Sequence, residues 1–220
     1  LIFLAVFTPK IRGVVFYCMF SGTTVYSCRV DSVFEIAQNQ TLVQVVGAHL
    51  TGKTNADVKS LSIHNHPQLP FVPLGIDHFF PNLVGLYFYN TPITVLSGNE
   101  LSGLVNLERF RIWLGLVESV PGNFFNSTPK INFVDFDGNQ ITSVGEELFD
   151  SLDIPNVHGL FFDNNDCIDQ RGTTISRVRM VIETLKTRCP SSAATTTTST
   201  TMSTSPSANT TTTTLSLITT

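Results

Sequence analysis

Five segments of the chain carry apolar residues at the first, fourth and sixth of six positions. They are Val58-Lys-Ser-Leu61-Ser-Ile63, Leu83-Val-Gly-Leu86-Tyr-Phe88, Leu107-Glu-Arg-Phe110-Arg-Ile112, Ile131-Asn-Phe-Val134-Asp-Phe136 and Val157-His-Gly-Leu160-Phe-Phe162, and their starts recur every 24 to 26 residues. A second landmark returns half a period later, in Phe79-Phe80, Leu101-Ser-Gly-Leu104, Phe124-Phe125 and Leu148-Phe149. Two landmarks in phase describe a unit that cannot bury its own apolar edge and must stack on copies of itself, which predicts a solenoid with one continuous core. A polar Asn followed by an apolar residue is expected beyond each strand; Asn139 with Ile141 and Asn165 with Cys167 supply it, while His66, Thr91 and Gly115 stand in its place elsewhere. An Asn side chain there can bond the backbone of adjacent coils.

Alternation along a strand sends the third, fifth and seventh positions outward. That column set holds Ser60, Ser62, His64; Gly85, Tyr87, Tyr89; Arg109, Arg111, Trp113; Phe133, Asp135, Asp137; and Gly159, Phe161, Asp163. The candidate ligand-binding residues are accordingly His64, Tyr87, Tyr89, Arg109, Arg111, Trp113, Phe133, Asp135, Asp137, Phe161 and Asp163. Tyr, Trp and Arg are the residues enriched at interface hot spots, and so much exposed aromatic area is costly to solubility without a partner. Against this, Arg111 sits one strand from Asp135 in the same row, and the aromatic residues can stack along the sheet. The three aspartates could also form a carboxylate or calcium site, but repulsion relieved by Arg109 and Arg111 is the simpler expectation. His64, His66 and Asp77 invite a zinc-hydrolase reading; in the repeat frame the two histidines diverge, so no metal, cofactor or catalytic residue is expected. No phosphate loop or nucleophile elbow is visible.

Cys18, Cys28, Cys167 and Cys189 allow three disulfide connectivities, and sequence alone does not choose among them; the repeats lying between the two pairs favour the local pairings. Structural disulfides belong to oxidising compartments, and three sequons, at Asn39, Asn126 and Asn209, fit that setting. Leu1 to Phe7 is apolar, too short to span a membrane, and reads as part of a secretory signal. Ile175, Val178, Ile182 and Leu185 recur at helical spacing, predicting a helix over the last coil that Cys189 staples to Cys167, with Arg177, Arg179, Lys186 and Arg188 as its solvated face. Residues 191 to 220 are dominated by Thr and Ser, hold no charge, and read as a disordered, O-glycosylated, mucin-like tail. A net charge of −4 disfavours a nucleic-acid partner, which selects a basic face.

On these five segments, the phrase Phe80-Pro-Asn-Leu83 and the closing Asn164-Asn-Asp-Cys167-Ile-Asp, the sequence resembles the extracellular leucine-rich-repeat proteins, and especially the short secreted ones of insects. The resemblance covers roughly residues 18 to 190. It implies an α/β solenoid, an arc with a concave parallel β-sheet and disulfide-braced caps. The expected division is a signal-like segment at 1–17, an N-terminal cap at 18–57, repeats at 58–166, a C-terminal cap at 167–190 and the tail at 191–220. The resemblance further implies a non-enzymatic module that recognises a protein ligand outside the cell, innate immunity included; the alternative is a glycosylated matrix or mucus component.

Overall fold

The computed structural model describes residues 13–36 and 40–191. The Leu1 to Phe7 stretch, Asn39, Asn209 and the Thr/Ser-rich tail beyond Ser191 lie outside the described residues. Strands β1 (Gly13–Ser21), β2 (Ser27–Ile36) and β3 (Leu42–Val46) open the chain, so residues 13 to 17, assigned by sequence to a signal-like segment, are part of the sheet. They are followed by β4 (Ser60–His64), a one-turn helix α1 (Ile76–Phe79), β5 (Gly85–Tyr89), β6 (Arg109–Trp113), β7 (Ser119–Val120), β8 (Phe133–Asp135), β9 (Ser143–Val144), β10 (Gly159–Phe161), β11 (Arg171–Gly172) and α2 (Ile175–Arg188).

The main sheet runs β11-β10-β8-β6-β5-β4-β2-β1-β3. From β2 to β10 its strands are parallel and in register: Leu61, Leu86, Phe110, Val134 and Leu160 form one row. Cys28 and Val30 of β2 align with Leu61 and Ile63, adding a sixth unit in front of the five legible repeats. The result is a leucine-rich-repeat solenoid with the parallel sheet on its concave side. β7 and β9 pair on the opposite side.

The period exists because each unit contributes the same apolar set. All fifteen first, fourth and sixth positions are buried, none more than 4% exposed. Phe88, Phe110, Phe136 and Phe162 then stack coil upon coil, with ring centroids 6.5, 5.8 and 5.5 Å apart. Phe124 meets Phe110 edge-on at 5.2 Å from the descending side, a favoured aromatic geometry.

The polar turn after each strand works as expected where Asn is present. The Asn139 amide donates to Ile112 O (2.8 Å) and Phe136 O (2.9 Å) and its Oδ1 accepts from Val117 N (3.2 Å). Asn165 repeats the pattern one coil on, with Phe136 O (2.9 Å), Phe162 O (3.2 Å) and Ile141 N (3.1 Å). His66 takes the slot in its own coil through Nε2 and Val30 O, 3.2 Å. Gly115 makes room: a side chain there would press on Asn139 Oδ1. The residue before the slot is left-handed in all five coils: Asn65, Asn90, Leu114, Gly138 and Asn164 have φ between 50° and 68°.

Both ends are closed by a disulfide, Cys18–Cys28 and Cys167–Cys189. In the hairpin of β1 and β2, Thr23 to Tyr26 form the turn. α2 lies over the last coil, but its buried stripe is Val178, Val181, Ile182 and Leu185. Ile175 opens the helix and is 44% exposed; it is Val178, three residues on, that faces the sheet over Gly172.

Candidate functional site

Strand alternation places Tyr87, Tyr89, Arg109, Arg111, Trp113, Phe133 and Phe161 on one outer face of the sheet, with His64 at its edge. Register fixes their rows: His64, Tyr89 and Trp113 share one, and Tyr87, Arg111 and Asp135 another. The His64 ring stacks on Tyr89 at 4.4 Å, Tyr87 on Tyr89 at 6.2 Å, and Trp113 meets Tyr89 edge-on at 6.3 Å. Burial, then the charges of Arg29 and His66, push the His64 imidazole below its ordinary pKa, so it favours the neutral form. Burial raises the Tyr87 phenol.

Arg111 is the hub. Its Nε lies 2.7 Å from Asp135 Oδ2, its Nη1 donates to the Tyr89 hydroxyl at 3.4 Å, and its guanidinium sits 5.6 Å from the Tyr89 ring and 5.4 Å from the Phe133 ring. These contacts spread a planar cation between two aromatic faces.

The aspartates depart from expectation. Asp135 is 2% and Asp137 8% exposed, so neither offers its carboxylate freely to a ligand. Arg111 covers Asp135, and Asp137 Oδ1 accepts the Asp163 amide at 2.8 Å. The balancing cation is not Arg109 but Arg171, which pairs with Asp163 and reaches Asp137 Oδ2 at 3.5 Å. Arg171 also lies over the Phe161 ring at 5.3 Å, while Phe133 and Phe161 meet edge-on at 5.1 Å. Three carboxylates share two guanidiniums. Burial, reinforced by the Asp135 charge, pushes Asp137 up to about 7, and burial likewise raises Asp135.

Tyr87, Tyr89, Arg109, Arg111 and Phe133 line a groove of about 510 Å³ together with Asn132 and His158. Sequence reasoning missed these last two. Both follow the first apolar residue of their repeat, an outward position that the third-fifth-seventh rule leaves out. A second cleft, about 440 Å³, runs along the rim where the strands end, between Asn65, Asn90, Thr91 and Leu116. Trp113, Leu114 and Leu116 beside it are 41%, 45% and 38% exposed, a concentration of apolar surface on one coil.

The residues of the zinc reading do not converge: His66 bonds Val30 O, His64 stacks on Tyr89, and Asp77 sits on α1 near His78. Among the described residues no group of three His, Cys, Asp or Glu is placed to hold a metal ion, and no helix is long and apolar enough to cross a membrane. Asn126 is exposed on the descending side, while Thr128 of the same sequon is buried with its hydroxyl donated to Phe125 O at 2.9 Å.

No family model and no curated protein sequence matches the chain. Among solved structures it is similar to a chain in the structure of the Toll–Spatzle complex, a molecular hub in Drosophila development and innate immunity, at 16% identity and a TM-score of 0.46, over 60% of this chain and 18% of that one. The glycosylated form of that complex gives 18% identity and a TM-score of 0.40 over 52% and 15%. The chain thus spans less than a fifth of the length of either, at 18% and 15%. The solenoid itself rests on the parallel register, the buried repeat positions and the Asn bonds between coils, rather than on this likeness.

Proposed function

We propose that the chain is a recognition module whose concave face binds a protein ligand outside the cell, with Tyr87, Tyr89, Arg109, Trp113, Phe133 and Phe161 as its contact residues. The observation that carries this reading is the groove between β5, β6 and β8, walled by aromatic rings and two guanidiniums. Such anchors supply large contact area at small entropic cost and dominate measured interface energies. Two disulfides closing the ends of the solenoid support an oxidising location. The resemblance to the secreted repeat proteins of insects extends the proposal to immune recognition and rests on analogy alone.

The test is capture from the extracellular fluid of the producing organism, comparing wild type with a Tyr89→Ala, Trp113→Ala variant. Arg111 is left intact because it neutralises the buried Asp135, and removing one member of such a pair strands the other. A partner retained by wild type and lost by a correctly folded variant supports the reading. Equal recovery by both contradicts it.

A further inference from the structure

The concave groove is cationic although the protein as a whole carries a formal charge of −4. Three carboxylates of the face are committed, Asp135 to Arg111, and Asp137 and Asp163 to Arg171; Asp31, two residues after Arg29 on β2, is exposed, but the groove around Arg109 is lined by no Asp or Glu. Arg29 and Arg109 are exposed on the same face, and among the described residues neither has a carboxylate partner.

The surroundings of Arg109 are shaped to leave it open. Its row reads Gly85, Arg109, Phe133, Gly159 across four strands. A side chain on Gly85 would collide with the Tyr87 hydroxyl, and one on Gly159 would lie 2.8 Å from the Phe133 ring. Both rings therefore lie back along the sheet over a glycine. They floor the groove with apolar faces and do not stand up to cover the guanidinium between them.

We propose that this groove receives an acidic side chain, Asp or Glu, on an extended segment of the protein ligand, its carboxylate held by Arg109 and its backbone laid across Phe133. This rests on the concave-face reading and adds the chemistry of the partner. A guanidinium with open donors is matched to a carboxylate by bidentate geometry, and the groove's charge opposes that of the rest of the surface, which suits electrostatic selection of an acidic partner. A nucleic-acid strand suits the face less well, because two unpaired arginines fall short of the run of cations that a phosphate backbone recruits. Arg29 is three strands from Arg109 and two residues away along the strand, roughly 16 Å. That is the span of about five residues of extended chain, so a second acidic residue at that spacing meets it.

The experiment uses the full chain and fluorescein-labelled hexaglutamate, read by anisotropy at low salt, with hexaglutamine and a ten-residue oligothymidylate as competing chemistries. Hexaglutamate is expected to bind, hexaglutamine to bind at least about tenfold more weakly, and Arg109→Gln to weaken hexaglutamate about tenfold, which corresponds to ~1.4 kcal/mol. Arg179→Gln on the exposed face of α2 is expected to leave it unchanged, which separates the groove from the helix's own basic residues. Absence of hexaglutamate binding, binding indifferent to Arg109, equal binding of hexaglutamine, or tighter binding of the oligothymidylate each overturns the assignment. These outcomes are distinct from failure of the concave-face reading. A partner captured through Tyr89 and Trp113 while hexaglutamate ignores Arg109 sinks the acidic assignment alone; a partner indifferent to Tyr89 and Trp113 sinks the reading beneath it.

Discussion

Asn139→Ala should be among the most damaging single substitutions available in this chain. Asn139 is 5% exposed and its amide closes two adjacent coils. It donates to Ile112 O in the coil before and to Phe136 O in its own, and it accepts from Val117 N. Alanine removes these three bonds and a longer one to Asp137 O at 3.4 Å, but the consequences differ. Phe136 O keeps the Asn165 amide at 2.9 Å, so its loss is that of one bond among two, ~1 kcal/mol or less. Ile112 O loses a good donor, ~1 kcal/mol. The Val117 N–H, in a residue that is 0% exposed, loses its acceptor, and a buried unsatisfied donor costs about 1–3 kcal/mol. The sum is roughly 3–4 kcal/mol, beyond the usual range for one substitution. Urea unfolding, followed by both far-UV circular dichroism and Trp113 fluorescence, measures it; the two probes are needed because coils of a solenoid can part separately. Asn139→Asp discriminates further. It keeps the acceptor for Val117 but turns an oxygen toward two carbonyls, so it should be no better than alanine. A loss below about 1 kcal/mol for alanine, or wild-type stability for aspartate, refutes the claim that this amide ties the coils together.

Asp137→Asn should stabilise the protein as pH rises: the folded-state carboxyl sits at about 7 against 3.8 unfolded, so the native protein holds a proton that the unfolded chain has released. Wild-type stability from this group is present below about pH 4 and lost as pH climbs through 7. The variant's advantage should grow by roughly 2–3 kcal/mol between pH 5 and pH 8 in paired urea titrations, and a constant difference contradicts the assignment. Leu114→Asn, at the left-handed position that Asn65, Asn90 and Asn164 occupy elsewhere, should raise stability by about 0.5–1 kcal/mol in thermal unfolding; a loss would show that its exposed side chain is held by packing. Joint replacement of Cys167 and Cys189 by Ser should cost ~3 kcal/mol and expose the α2 amides to hydrogen exchange ahead of β5 and β6, whereas uniform exchange would mean the cap is not stapled separately.

The repeats were legible because burial in a solenoid is periodic. Leu61, Leu86, Phe110, Val134 and Leu160 face the core for one shared reason, and that reason recurs in the sequence every coil. The same logic predicted Arg111 beside Asp135 and the Asn139 and Asn165 slots. What stayed hidden comes from segments that do not repeat. Arg171 reaches Asp137 and Asp163 from β11, which pairs antiparallel to β10 and stands outside any period. Asp137 and Asp163, expected on the ligand face, are therefore paired with a cation from outside the repeats, and Arg109 is left without a carboxylate. The pairing of β1 with β3 escaped for a related reason, since the two run parallel across a long excursion that no local pattern announces. The left-handed column was present in the sequence as Asn65, Asn90, Gly138 and Asn164, and Leu114, the residue least suited to it, obscured it.

Photo-crosslinking tests the concave-face account most directly. Benzoylphenylalanine placed at Phe133, at Tyr89 and, as controls, at the exposed descending-side positions Asn123 and Glu147 would be irradiated in the extracellular fluid of the producing organism and the adducts sequenced. The account predicts one recurrent protein adduct at Phe133 and Tyr89 and none of it at Asn123 or Glu147. The same adduct at the descending positions, with Phe133 and Tyr89 silent, would contradict it.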